Sequence, residues 1–170
     1  ATDGNIGVAI NAIRSAREPH SFLGITPDGA PAIVRTRGNG YGHIVLRGGQ
    51  SPNYDTAQVT LTEQELLQAG LSPNLVIDCA HANSLKKPEL QPLVFRDCVH
   101  QIIEGNSSIV GLMLESNIVA GNQPIPEDKS RLIYGCSVTD PCIGWETTAK
   151  LIRESAAAVA PALRARARPA

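Results

Sequence analysis

No run of about 18 consecutive apolar residues occurs anywhere in the chain, so a membrane-spanning helix is not expected. A secretory leader pattern is likewise missing. The cysteines, Cys79, Cys98, Cys136 and Cys142, form no CxxC pair and are too sparse for a disulfide framework, which points to a reducing, cytoplasmic setting. Cys79 and Cys98 lie in apolar surroundings and read as small core residues. Charge of one sign is scarce too. The formal net charge is -1 and the body of the chain has no long basic face, so nucleic acid is not an expected partner. The arginines between Arg164 and Arg168 read as a solvated terminus. The glycines around Gly38-Asn39-Gly40-Tyr41-Gly42 fit neither GxGxxG nor GxxxxGK[ST], which leaves no nucleotide fingerprint.

What is present is patterned. Hydrophobic residues make up 42% of the chain, near the globular norm, and the length suits one domain over 1–170. Three short apolar runs end in polar groups: His43-Ile44-Val45-Leu46 in Arg47-Gly48-Gly49, Leu75-Val76-Ile77-Asp78 in a loop carrying His81, and Ile109 to Leu114 in Glu115. Equal intervals separate Arg47 from His81 and His81 from Glu115, and each interval holds a helix-like segment. Continuous apolar runs joined through helices are the mark of parallel strands buried on both faces. In barrels built this way the chemistry sits on loops at the carboxyl ends of the strands, where Arg47, His81 and Glu115 all fall.

Around this repeat, Asn5 is placed to cap a helix running to about Arg17. Phe22–Thr26 and Ala32–Thr36, joined at Pro27-Asp28-Gly29, form a β-hairpin over about 21–37, which reads as an insertion between βα units. Helices are expected over Thr62–Ala69, from Pro88 to Gly105, and from Trp145 to Ala160 with Pro161 near the end. Ile118 to Ile143 reads as a long loop.

Arg47 offers a planar fork for phosphate or carboxylate, or a surface salt bridge. His81, Glu115 and Asp140 form a mixed nitrogen and oxygen set that suits a divalent metal of the Mn, Fe, Co or Zn type. The same residues are open to reading as an acid/base pair or a hydrogen-bonded buried histidine. His20 and His100 have no companions and read as structural.

Gly42 to Gly49 with Pro52-Asn53-Tyr54, Ile77-Asp78-Cys79-Ala80-His81-Ala82-Asn83-Ser84, Met113-Leu114-Glu115-Ser116, Gly121-Asn122-Gln123, and Thr139-Asp140-Pro141-Cys142-Ile143-Gly144-Trp145-Glu146 together resemble the class I 3-deoxy-D-arabino-heptulosonate-7-phosphate synthases of the alpha subfamily. The resemblance implies an α/β fold of (β/α)8 TIM-barrel type, represented by roughly its second half with the hairpin inserted. It implies condensation of phosphoenolpyruvate with erythrose 4-phosphate, the first step of the shikimate pathway. Arg47 would hold phosphoenolpyruvate; His81, Glu115 and Asp140 would ligate the metal, with His81 and Asp140 as catalytic residues.

In the family the first half of the barrel carries a cysteine metal ligand, further cations and the erythrose-phosphate loop. Competence is therefore expected to depend on that half, and this chain alone is expected to be inactive. Open sheet edges make a homo-oligomer or a complementing chain expected. Phe22, Gly24 and Val34 stand where the family binds an aromatic amino acid effector, and glycine at 24 favours tyrosine. The alternative is a non-catalytic remnant or accessory chain that binds an amino acid or a partner subunit.

Overall fold

The computed structural model describes residues 3–166. Asn5 caps the first helix, α1 (Ile6–Arg17), its side-chain oxygen accepting the Val8 N–H at 3.1 Å. The hairpin follows as β1 (Ser21–Ile25) and β2 (Pro31–Arg35), antiparallel, with Phe22 opposite Val34 and Gly24 opposite Ala32. It projects from the body, leaving Leu23 82% and Ile25 79% exposed.

The organising element is a parallel three-stranded sheet. Its strands, β3 (Ile44–Leu46), β4 (Leu75–Asp78) and β5 (Ile109–Met113), lie side by side in chain order. Ile44 pairs with Leu75 and Leu46 with Ile77; Asp78 pairs with Met113 beyond an irregularity at Leu75/Val76. The crossovers are α2 (Thr56–Gln68) and α3 (Gln91–Ile103), and α4 (Trp145–Arg166) closes the layer beside α3. Ile44, Leu46, Leu75 and Ile77 are buried under Val59 and Leu66 of α2, Val94, Cys98 and Val99 of α3, and Leu151 of α4. Each such side chain withdrawn from water contributes about 1.5–3 kcal/mol before entropy is counted.

The expectation of strands buried on both faces is corrected among the described residues. Only the helix-side face is covered. Val45 and Val76 on the opposite face are half-buried, as is Gly111, the register partner of Val76. The strands read as apolar throughout because both faces carry aliphatic side chains, whether or not both are covered here.

Three element boundaries also differ from expectation. The second helix starts at Thr56, not Thr62, because the Asp55 carboxylate accepts the N–H groups of Ala57 and Gln58 and so caps it six residues earlier. The segment from Pro88 makes one 3-10 turn before α3 begins at Gln91. The last helix passes through Pro161 and reaches Arg166, whose guanidinium donates to the Ile102 carbonyl at 3.2 Å. Arg164 and Arg166 are exposed, as expected of a solvated terminus, but lie within the helix, and Arg168 lies outside the described residues.

The long loop from Ile118 to Ile143 is held by its own backbone and amides. Gly121 and Cys142 form an antiparallel bridge, and Asn122 bridges to Ser137. The Gln123 side chain accepts the Ile133 N–H at 2.8 Å and donates to the carbonyls of Ile133 and Cys136 at 2.8 and 3.1 Å. No helix among the described residues is long and apolar enough to cross a membrane.

Candidate functional site

Arg47 stands one residue beyond β3, His81 three beyond β4 and Glu115 two beyond β5, so parallel pairing brings all three to the carboxyl rim of the sheet. Two asparagines lace the first two loops together. Asn53 accepts the Gly48 N–H at 2.7 Å, and its own N–H donates to Asn83 at 2.8 Å. The buried Asn83 amide then donates to the carbonyls of Leu46 and Asp78 at 3.0 and 2.9 Å, so its amide hydrogens and oxygen all find partners.

The chain leaves β4 in a strained turn. His81 has φ 46, and Leu85 and Lys86 follow at 54 and 59 after a single 3-10 turn over His81–Ser84. Left-handed conformations at three non-glycine residues persist only where surroundings enforce them, and such strain gathers at functional sites. Here the Lys86 N–H closes the turn onto the His81 carbonyl at 2.7 Å.

That turn aims the imidazole. Its Nδ1 stands 2.6 Å from the Asp78 Oδ2, while Nε2 faces Glu115 Oε1 at 3.8 Å and Asp140 Oδ2 at 3.5 Å. One ligand atom from each of His81, Glu115 and Asp140 lies within 4.8 Å of the other two. Ligand atoms about 2.0–2.2 Å from an ion stand roughly 3–4 Å from one another, so the spacing and the donor types fit a divalent metal. Glu115 and Asp140 are the more open members, and His81 is sheltered.

Positioning of the two carboxylates comes from elsewhere in the chain. Gln91, 1% exposed at the start of α3, accepts the Glu115 N–H at 2.9 Å and donates to its carbonyl at 3.2 Å. The Asp140 loop is tied to the same strand end by the Ile143 N–H donating to the Glu115 carbonyl at 3.0 Å, and is braced internally by Asn122 donating to the Thr139 carbonyl at 2.9 Å. Arg47, His81, Lys86, Gln91 and Asp140 line one cavity of about 450 Å³. A wider groove beside β5, about 700 Å³ and lined by Leu112, Leu114 and Trp145, has no titratable side chain in its wall.

Sequence reading singled out Arg47, His81, Glu115 and Asp140, and the fold brings all four together. It missed Asp78, Asn53, Asn83, Lys86 and Gln91. Only burial distinguishes most of these from ordinary polar residues, apart from Lys86, whose signal is its place in the cavity wall. The other histidines are elsewhere: the His20 ring meets the Ser15 carbonyl at 2.7 Å, and His100 lies 3.2 Å from Glu104. Phe22, Gly24 and Val34 form a separate patch on one face of the hairpin. A Cβ added to Gly24 would sit 2.7 Å from a Val34 methyl and 4.0 Å from the Phe22 ring.

Near the site, a hydrogen bond with the Cys98 thiol, then burial, push the Cys79 thiol far above its ordinary range. Burial also raises Cys142 and Tyr54.

The profile of the DAHP synthetase I family matches residues 1–153. The chain is similar to the Tyr-sensitive phospho-2-dehydro-3-deoxyheptonate aldolase of Salmonella typhimurium strain LT2, with 52% identity over 153 residues, covering 90% of this chain and 43% of that protein. It is similar to the Phe-sensitive enzyme of Escherichia coli strain K12, with 49% identity over 158 residues, covering 93% of this chain and 45% of that one. The solved structure of phospho-2-dehydro-3-deoxyheptonate aldolase from Francisella tularensis SCHU S4 superposes with a TM-score of 0.86 at 43% identity, over 94% of this chain and 46% of its own. The chain thus spans less than half the length of these three relatives. It belongs to the DAHP synthetase I family.

Proposed function

We propose that this chain supplies the second half of a (β/α)8 barrel, as one partial domain over 1–170 with the hairpin of about 21–37 inserted, in a cytoplasmic 3-deoxy-D-arabino-heptulosonate-7-phosphate synthase. The observation that carries the proposal is the meeting of Arg47, His81, Glu115 and Asp140 on one rim, in a chain whose relatives are named as such enzymes. The open face of Val45 and Val76 and the unpaired outer edges of β3 and β5 are then surfaces for the first half of the barrel, whether in one polypeptide, a complementing chain or a homo-oligomer.

The reaction joins the enol carbon of phosphoenolpyruvate to the aldehyde carbon of erythrose 4-phosphate; water adds at the carbon bearing phosphate, and inorganic phosphate leaves. Arg47, partly open to the cavity, presents its fork to the phosphate or carboxylate of phosphoenolpyruvate. His81, Glu115 and Asp140 would hold a divalent metal of the Mn, Fe, Co or Zn type, with His81 and Asp140 as the catalytic members of the set. When bound, that metal supplies Lewis-acid polarisation of the aldehyde oxygen. Lys86, in the same wall, adds positive charge where two phosphorylated substrates must share one cavity.

Phe22, Gly24 and Val34 form the proposed effector patch, with tyrosine favoured over phenylalanine. Support comes from their common face and from relatives named Tyr-sensitive and Phe-sensitive. The deciding experiment follows phosphoenolpyruvate consumption and Mn²⁺ content in the full-length protein and its His81→Ala variant. The proposal expects both to collapse in the variant. Unchanged turnover would refute it.

A further inference from the structure

We infer that Asp78 is a positioning residue for the metal-ligand cluster: its buried carboxylate fixes the tautomer of His81. This rests on the reading of His81, Glu115 and Asp140 as metal ligands and deepens it. Asp78 is the last residue of β4 and is 3% exposed. Its two oxygens do different things. Oδ1 accepts the Ala80 N–H at 2.9 Å, a local tie that shapes the turn. Oδ2 faces out of the strand toward two functional side chains, His81 Nδ1 at 2.6 Å and Arg47 Nε at 3.9 Å.

A carboxylate only accepts, so the short contact requires a proton on Nδ1. In the neutral ring, the form that binds a metal, the lone pair is then on Nε2, the nitrogen that faces Glu115 and Asp140. An imidazole without this tie can carry its proton on either nitrogen, and a proton on Nε2 blocks ligation. The same oxygen lies 3.9 Å from the Arg47 guanidinium, a nearby charge but too far for a hydrogen bond.

Asp78→Asn separates the two roles. The amide oxygen can keep the Ala80 N–H, while the amide nitrogen, a donor, replaces the acceptor facing Nδ1 and forces the His81 proton onto Nε2. In the full-length protein, nitrogen-15 NMR of the imidazole is expected to show Nδ1–H at His81 in wild type and Nε2–H in Asp78→Asn. Mn²⁺ affinity, titrated directly, should fall roughly 10–100-fold, the usual effect of losing a metal–histidine's orienting partner. Asp78→Glu, which keeps an acceptor, should recover part of it. The wild-type spectrum decides the point even if Asp78→Asn does not fold: an Nε2–H tautomer there overturns the inference. So does an Asp78→Asn protein that binds Mn²⁺ as wild type does. The underlying reading fails separately, if the wild-type protein binds no Mn²⁺ at all.

Discussion

Gly48 and Ala82 touch across the two loops that carry Arg47 and His81, so closely that a Cβ on Gly48 would lie 2.7 Å from that of Ala82. Gly48 also has φ 75, a conformation L side chains rarely adopt. Gly48→Ala is expected to destabilise the protein by about 1–3 kcal/mol, through strain and through pushing the loops apart. Urea unfolding measures the first effect. A higher KM for phosphoenolpyruvate should accompany it, since Arg47 moves with its neighbour.

The double hydrogen bond from Gln91 to the Glu115 backbone makes a second prediction. Gln91→Leu keeps bulk but leaves the part-buried Glu115 N–H without its partner, while the carbonyl keeps the Ile143 N–H, costing about 1–3 kcal/mol. Mn²⁺ affinity should drop with it because Glu115 loses its anchor. Thermal unfolding and a metal titration of the same sample test both, and unaltered metal binding would show that Glu115 is positioned by other means.

Arg47 and the His81 cluster should separate kinetically. Arg47→Lys removes the planar fork and is expected to raise the KM for phosphoenolpyruvate roughly tenfold while Mn²⁺ binding holds within a few-fold. Glu115→Gln and Asp140→Asn are expected to do the reverse, weakening Mn²⁺ first. Steady-state kinetics beside metal titration resolves the two patterns.

Thiol labelling tests the core. The hydrogen bond with Cys98, together with burial, raises the Cys79 thiol, so almost no thiolate forms at neutral pH. Half-buried Cys136 should react first with a thiol reagent at neutral pH, and Cys79 and Cys98 only on unfolding. Mass spectrometry after timed alkylation gives the order; early modification of Cys79 would contradict the packing.

Gly24→Ser probes the hairpin. Its new Cβ meets the Val34 methyl, which must turn aside, and its hydroxyl narrows the patch beside Phe22. Inhibition by tyrosine is expected to weaken relative to phenylalanine, read from inhibition curves with both amino acids on the full-length protein. Unaltered tyrosine inhibition would rule out this patch as the proposed effector site.

Most strands and the rim are legible in the sequence. Leu75 to Asp78 is apolar for the length of a strand and then turns polar, and the equal spacing of Arg47, His81 and Glu115 carries the βα repeat in plain view. Helix ends were less visible. Asp55 looks like any loop acid until its side chain is seen on the N–H groups of Ala57 and Gln58, and Pro161 suggests a stop that α4 does not make. The ties within the long loop leave no local pattern, because Gln123, which pins it, bonds to carbonyls ten and thirteen residues away.

The sequence by itself determined that strands and helices alternate and which charged groups close each strand, though not where each helix ends, because side-chain periodicity and turn chemistry act within a few residues. Tertiary structure decided which polar groups lose water: Asp78, Asn83 and Gln91 became positioning groups only when parallel pairing and the α3 layer buried them. A buried polar atom must find a partner, and which partner is within reach depends on residues distant along the chain.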